Sequence, residues 1–401
     1  MNLYRLFEIQ LVVAFALLFP VWCFSQQKVT RADFEQTMNG WREEIHALRK
    51  ILSYDYMYCL EHEADEILAR RLTHIQRGNA YYLKGILQAA ELYRESPAQD
   101  LFDYLQATRQ RITDTGLFQH VLTVELALLE HSNLKGEERL PAILRIIPVA
   151  QMCSEHELAA EFLREAKSIA GTLAPRMEEY LKRVPELVAA WEKEKHLRKL
   201  GEESGTLPLV RLHTTLGDVV IELYENDAPN SVAHFLDLIQ QGVYNGLQFY
   251  EVIQQGWALT GSPANNGQSD LNHVIESESR LETARQHFRG NVTLLAAHEG
   301  NHSGSVIGFC RVENLGLDGV HTVIGRLVEG NEVIDYLNKS LILNTQGGYE
   351  PNPRFTPDRI VRAEVIRGPA TPRPVQRVKI EIEGHDHQHN HRHHDHSHHH
   401  D

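Results

Sequence analysis

Ten of the chain's 24 histidines stand in its last stretch, GHDHQHNHRHHDHSHHHD at 384–401. They are His385, His387, His389, His391, His393, His394, His396, His398, His399 and His400. Neutral imidazole is a ligand for borderline divalent metals, so this density predicts binding of Zn²⁺, Ni²⁺ or Cu²⁺ without a preorganised geometry. The plain alternative is a polar tail with no task. A second stretch, FYEVIQQGWALTG at 249–261, reads as a short apolar strand with one carboxylate, Glu251, in its middle. Glu251 either faces water on the alternate face or lines a site. Arg289, in HFRG, and Arg311 lie close in sequence to the neighbouring strands. Their ordinary uses are a structural ion pair for Arg289 and solvent for Arg311. His298 and His302 are four apart on a glycine-rich loop, where helical metal-ligand spacing does not apply.

Two kinds of scaffold must carry these groups. Residues 31–200 read as helix after helix. Phe34, Met38, Trp41, Ile45, Leu48 and Leu52 recur at three- and four-residue steps, the stripe of an amphipathic helix. Leu158, Phe162, Ala166 and Ile169 repeat the pattern. So do Met177, Leu181, Val184, Leu187 and Trp191, with Pro185 expected to kink that helix. No repeat consensus is sustained, so this region is an all-α helical array or a bundle. It holds no catalytic constellation, which leaves it spacing or a protein partner. The polar, glycine-containing stretch 201–208 reads as a linker. Beyond it come short strands and tight turns, including a turn at Thr215-Leu216-Gly217-Asp218, a helix over 232–241 capped by Ser231, and Asn245-Gly246.

At 401 residues, 42% hydrophobic and 23% charged, the chain is globular and long enough for two cores. A formal net charge of −14 and the lack of a basic stripe argue against nucleic acid as a partner. The start has the order of an export signal over 1–25: a positive charge, an apolar run at 11–19, and Ser25 before Gln26. Cleavage there predicts a periplasmic or extracellular chain with no membrane span. The rival is an uncleaved anchor, for which 11–24 is short against the about 20 residues of a span. Cys59, Cys153 and Cys310 then remain; either Cys59 pairs with Cys153 or all three are separate buried thiols.

From residue 206 to 368 the order of residues resembles a cyclophilin-type peptidyl-prolyl cis-trans isomerase. TTLGDVVIELYENDAPNSVAHFLDLIQQGVYNGLQFYEVI (214–253) is similar to the family's front half. ARQHFRGNVTLLAAHEGNHSGSVIGFC (284–310), GLDGVHTVIGRLVEGNEVID (316–335) and TPDRIVRAEVI (356–366) resemble its back half, in the right order. The resemblance implies a closed antiparallel β-barrel capped by helices over 209–368, followed by an extension, 369–401, that ends in the histidine tail. It implies an isomerase acting on proline-containing polypeptides, in protein folding, without a cofactor.

The family's site residues carry over unevenly. The arginine that follows Phe249 by two residues in the family falls at Glu251. Arginine suits the reaction because a donor to the prolyl nitrogen weakens the amide resonance that makes rotation slow. A carboxylate only accepts. The resemblance places Trp257 at a pocket phenylalanine, Ala258 at a methionine and Thr260 at a glutamine. Val306 falls at a second glutamine, Gly308 at a second pocket phenylalanine, Ala297 at an asparagine and Gly316 at a tryptophan. Leu317 and His321 match. The substrate-binding set implied is Phe249, Trp257, Thr260, Val306, Leu317 and His321, with activity expected to be weak. A binding module that does not catalyse and a metal-handling protein are the other readings.

Overall fold

The computed structural model describes residues 28–54, 64–296, 302–343, 349–369 and 373–379, apart from Gln254, Asn266, Asp270, Asn272 and Arg354 within those spans. The leader, Cys59, Ala297, His298 and the histidine tail lie outside the described residues.

Among the described residues the first region has seven α-helices: α1 (Arg31–Tyr54), α2 (Ala64–Glu95), α3 (Gln99–Thr115), α4 (Phe118–Glu130), α5 (Leu140–Met152), α6 (His156–Ala170) and α7 (Pro175–Ser204). In α3 the buried positions are Leu101, Leu105, Thr108 and Ile112, three or four apart. Gly116, left-handed at φ 82°, stops α3 and leaves the carbonyl of Thr115 at its end. Ile86, Ile143, Ile146 and Leu163 meet in the shared core. The expected stripe of α6 is there too, with Phe162 and Ala166 buried and Leu158 and Ile169 packed on the same cluster. Helix α7 runs through Pro185 unbroken. Among the described residues no helix is long and apolar enough to cross a membrane. Cys153 and Cys310 are free, buried thiols. Burial pushes each up to about 12, so neither is a thiolate at neutral pH.

The second region is antiparallel β. Its strands are β1 (Leu209–Thr214), β2 (Gly217–Leu223), β3 (Glu251–Val252), β4 (Trp257–Thr260), β5 (His273–Glu276), β6 (Asn291–Ala296), β7 (His302–Cys310) and β8 (Thr322–Glu329), then β9 (Leu341–Leu343), β10 (Tyr349–Pro351), β11 (Ile360–Arg367) and β12 (Val378–Lys379). The main sheet runs β11-β1-β2-β8-β6-β7-β4-β3, with β5 on β7 and β12 on β5. Strands β9 and β10 form a separate pair. The sheet curls but does not close as a ladder. The end strands β3 and β11 are not partners, and only the bridge Gln248↔Arg359 and bonds such as Ile360 N–H to Leu247 O (2.9 Å) draw them together. The closed barrel that was expected is therefore a curled half-barrel. Its concave side is filled by Phe235, Tyr244, Phe249, Phe309, Ile221 and Ile324, all at 0% exposure.

Helix α8 (Pro229–Gln240) lies against β5, β8 and β11, and α9 (Asn331–Tyr336) against β2. Helix α8 starts earlier than the sequence suggests, with proline in its first turn, and Ser231 is inside it rather than capping it. The capping is done from a distance. The Glu278 carboxylate accepts the N–H groups of Asn230 (3.1 Å) and Ser231 (2.7 Å), placing negative charge at the helix's positive end.

The composition boundary does not coincide with a break in structure. Residues 201–204 form the last turn of α7, and α7 is packed on the half-barrel. Trp191 stacks at 4.9 Å on Phe288. Glu194, 3% exposed, is held by Arg198 of its own helix and by Arg285 from the β5–β6 connection. Burial alone would raise the Glu194 carboxyl, but the two guanidinium groups hold it below the usual carboxylate range.

Candidate functional site

The hairpin β3–β4 pairs Glu251 with Leu259 and Val252 with Ala258. Leu259 in turn faces Gly308 on β7, and Gly308 faces Thr293 on β6. Because side chains alternate along a strand, Glu251, Leu259, Gly308 and Thr293 form one row across four strands. Trp257, two residues before Leu259, shares that face and sits diagonal to Glu251. Its Nε1–H donates to Glu251 Oε1 at 2.9 Å. The tryptophan ring lies 6.0 Å from the imidazole of His321. The backbone N–H of Ala296 donates to Nδ1 of His321 (3.0 Å). Burial, and then the neighbouring His287, lower the His321 pKa, so the ring is neutral at pH 7 with its proton on Nε2.

Glu251, Trp257, Leu317 and His321 are all half-buried, and Gly316 is exposed, so these form the accessible part of the site. The other described positions carried over from the resemblance are buried. Phe249 is fully buried in the core, 5.9 Å from Phe309. Thr260 is at 0% exposure with its hydroxyl unpartnered, and Val306 is at 5%. At Gly308 an added Cβ would stand 2.9 Å from Leu259 Cδ2, 3.1 Å from Leu295 Cδ1 and 3.2 Å from Thr293 Cγ2. Neighbouring side chains thus occupy the room that an aromatic residue would need there. His302 opens β7, but its side chain is not among those described. Among the described residues no three His, Cys, Asp or Glu side chains converge as metal ligands.

Both nearby arginines are engaged away from Glu251. Arg289 forms the expected structural ion pair, with Nη1 at 3.1 Å and Nη2 at 2.5 Å from the Asp335 carboxylate. Arg311 does not face solvent, as its sequence context suggests. It is 1% exposed and donates to three carbonyls: Ile253 (2.6 Å), Asp335 (3.2 Å) and Thr115 at the end of α3 (3.1 Å). Its own N–H also holds Gly256 O (3.0 Å) in the β3–β4 turn. The opposite wall is tied to the helices as well. Glu313 Oε2 accepts from Ser154 Oγ (2.6 Å) and lies 3.0 Å from His156 Nε2, and His156 Nδ1 lies 2.9 Å from Tyr180 Oη. Further along that loop, Asp318 holds the fully buried His287 through its backbone N–H (2.9 Å) and Nδ1 (2.7 Å). So the helical region anchors both the turn carrying Trp257 and the loop carrying Leu317. Sequence reasoning missed Arg311, Glu313 and His287 as supports; only the neighbouring HFRG and LDG runs hinted at the last.

The family described as "Cyclophilin type peptidyl-prolyl cis-trans isomerase/CLD" matches residues 209–365. A peptidyl-prolyl cis-trans isomerase of Helicobacter pylori is 33% identical over 147 residues, covering 36% of this chain and 88% of that protein. One from Synechococcus elongatus is 37% identical over 116 residues, covering 29% and 77%. Among solved structures, the cyclophilin AquaCyp293 of Hirschia baltica aligns at 24% identity over 39% of this chain and 73% of its own, with a TM-score of 0.32. With most of an isomerase's length matched at a third identity, and with the sheet and its order in place, the chain belongs to the cyclophilin-type peptidyl-prolyl isomerase family.

Proposed function

We propose that the chain binds proline-containing polypeptide segments on the Glu251–Trp257–His321 face and turns their prolyl bonds over only slowly. The observation that carries this reading is the bond from Trp257 to Glu251 at the family's arginine position. The carboxylate is held in the site, and the two arginines nearby are committed to Asp335 and to backbone carbonyls. No bond is made or broken in prolyl rotation, so the reaction calls for no cofactor. Titrating a proline tetrapeptide into residues 26–401, with binding and cis–trans exchange both read by NMR, tests the reading. Saturable binding with slow exchange supports it; no binding to the half-barrel rejects it.

Export is part of the same proposal. Removal of residues 1–25 leaves Gln26 at the start, and this rests on the charged, apolar and small-residue order of the leader. Intact mass of the exported protein is expected to match a chain beginning at Gln26; a mass that includes residues 1–25 rejects cleavage.

The tail is proposed as a separate, reversible metal site. Metal competes with protons for imidazole, whose ordinary pKa is about 6.5, so Ni²⁺ uptake is expected at about pH 7.5 and largely lost at about pH 5.5. With no fixed geometry, Zn²⁺ and Cu²⁺ should compete, copper most strongly. Calorimetry on the full chain and on one ending at Gly384 separates the outcomes. Equal uptake by both would place the metal elsewhere.

A further inference from the structure

Glu251 differs from Glu194, Glu222 and Asp335, buried carboxylates around the half-barrel that arginines pair. Glu194 has Arg198 and Arg285, Glu222 has Arg326, and Asp335 has Arg289. Among the described residues no cation pairs with Glu251. Its single hydrogen bond is the one from Trp257 Nε1, which occupies Oε1 and leaves Oε2 without a donor. The indole fixes the direction of this half-buried carboxylate, and Oε2 remains open to a cation. Beside it stands the Trp257 ring, with the neutral His321 ring 6.0 Å further on.

We propose that Glu251 and Trp257 form a subsite for a basic residue, lysine or arginine, next to the proline of the bound segment. The inference rests on the proposed binding of proline-containing segments and adds the class of segment. A cation there would meet the Oε2 lone pairs that Trp257 leaves open and could lie over the indole face, the two attractions an extended basic side chain uses best. The same carboxylate would repel an acidic residue in that place. The chain's net charge of −14 favours any cationic peptide, but that general attraction is almost unchanged in Glu251→Gln, so only the part of a lysine preference that the variant loses belongs to the subsite.

The test compares three peptides, Ala-Lys-Pro-Ala, Ala-Gly-Pro-Ala and Ala-Glu-Pro-Ala, on residues 26–401 and on Glu251→Gln. The glutamine oxygen still accepts from Trp257, so the variant removes the charge and keeps the geometry. For the unsubstituted chain the lysine peptide is expected to bind about tenfold more tightly than the glycine peptide, the size of one partly exposed ion pair with an aromatic contact. The glutamate peptide should bind more weakly than either. Glu251→Gln should bring the three affinities together, and about 0.5 M salt should do much the same by screening. Equal affinities in the unsubstituted chain overturn the subsite while leaving proline-segment binding intact. A lysine preference that survives in Glu251→Gln also overturns it, because the cation is then recognised elsewhere. If none of the peptides binds, the underlying reading fails and the subsite fails with it.

Discussion

Replacing Arg311 with alanine is expected to destabilise the folded chain by about 3–5 kcal/mol, the range for breaking a buried charged network from one side. The side chain is 1% exposed and serves carbonyls from three elements: Ile253 after β3, Asp335 in α9 and Thr115 at the end of α3. The Ile253 and Thr115 carbonyls lose this donor, at about 1–3 kcal/mol for a group left buried and unpaired, while the Asp335 carbonyl keeps the Lys339 ammonium; the hole left by the side chain adds to the loss. Relief from burying a guanidinium offsets part of the loss but not all of it. The Thr115 carbonyl also lies at a helix C-terminus, where a positive charge is favoured. Arg311→Lys keeps the charge but lacks the planar fork that reaches several carbonyls at once, so roughly half of the loss should remain. Urea unfolding followed by both circular dichroism and tryptophan fluorescence measures this. The two signals should move together, because Arg311 joins the helices to the half-barrel. A loss below about 1 kcal/mol, or a shift in only one of two separate transitions, would show that it does not join them.

The second large effect is catalytic. On a proline tetrapeptide, kcat/KM is expected to fall about 10²–10³-fold below that of the Helicobacter pylori isomerase assayed beside it, the usual cost of losing one transition-state donor. Rotation about the prolyl bond faces a barrier of about 18–20 kcal/mol because the amide nitrogen shares its lone pair with the carbonyl. A donor to that nitrogen acts only in the twisted state, which is where catalysis must act. Glu251 is held by Trp257 with Oε1 as the acceptor, and a carboxylate offers no donor to the prolyl nitrogen. Glu251→Arg alone should recover less than about tenfold, since aliphatic side chains fill the space at Gly308 where the family's aromatic pocket residue would stand, and Trp257 loses its acceptor. Parity with the relative would mean that another donor, such as the Nε2–H of His321, reaches the substrate.

What the sequence made legible was whatever depends on neighbours along the chain. The turn at Thr215-Leu216 between β1 and β2, the stripe of α6 and the strand at Glu251 follow from periods of two and of about 3.6, which are local. Glu251 and Trp257 stand out as site positions through the family resemblance, and their short hairpin keeps them close in the sequence. The supports were not legible. Arg311 is defined by carbonyls from three distant elements, and a carbonyl has no letter in a sequence. Glu278 caps a helix that starts about fifty residues earlier in the chain, so no capping motif announces it. The polar stretch 201–208 looked like a hinge because composition changes there, yet α7 carries its helix through residue 204 and lays Glu194 and Arg198 on the half-barrel.

The packing at Gly308 bears on how this chain could ever regain ordinary isomerase chemistry. A phenylalanine restored there would collide with Leu259 and Leu295. Trimming either leucine first would open a hole costing about 2–5 kcal/mol with nothing yet to fill it. A larger side chain at position 308 therefore calls for Leu259, Leu295 and Thr293 to shift together, so the shape of this face is set jointly by β4 and β6 and not by residue 308 alone.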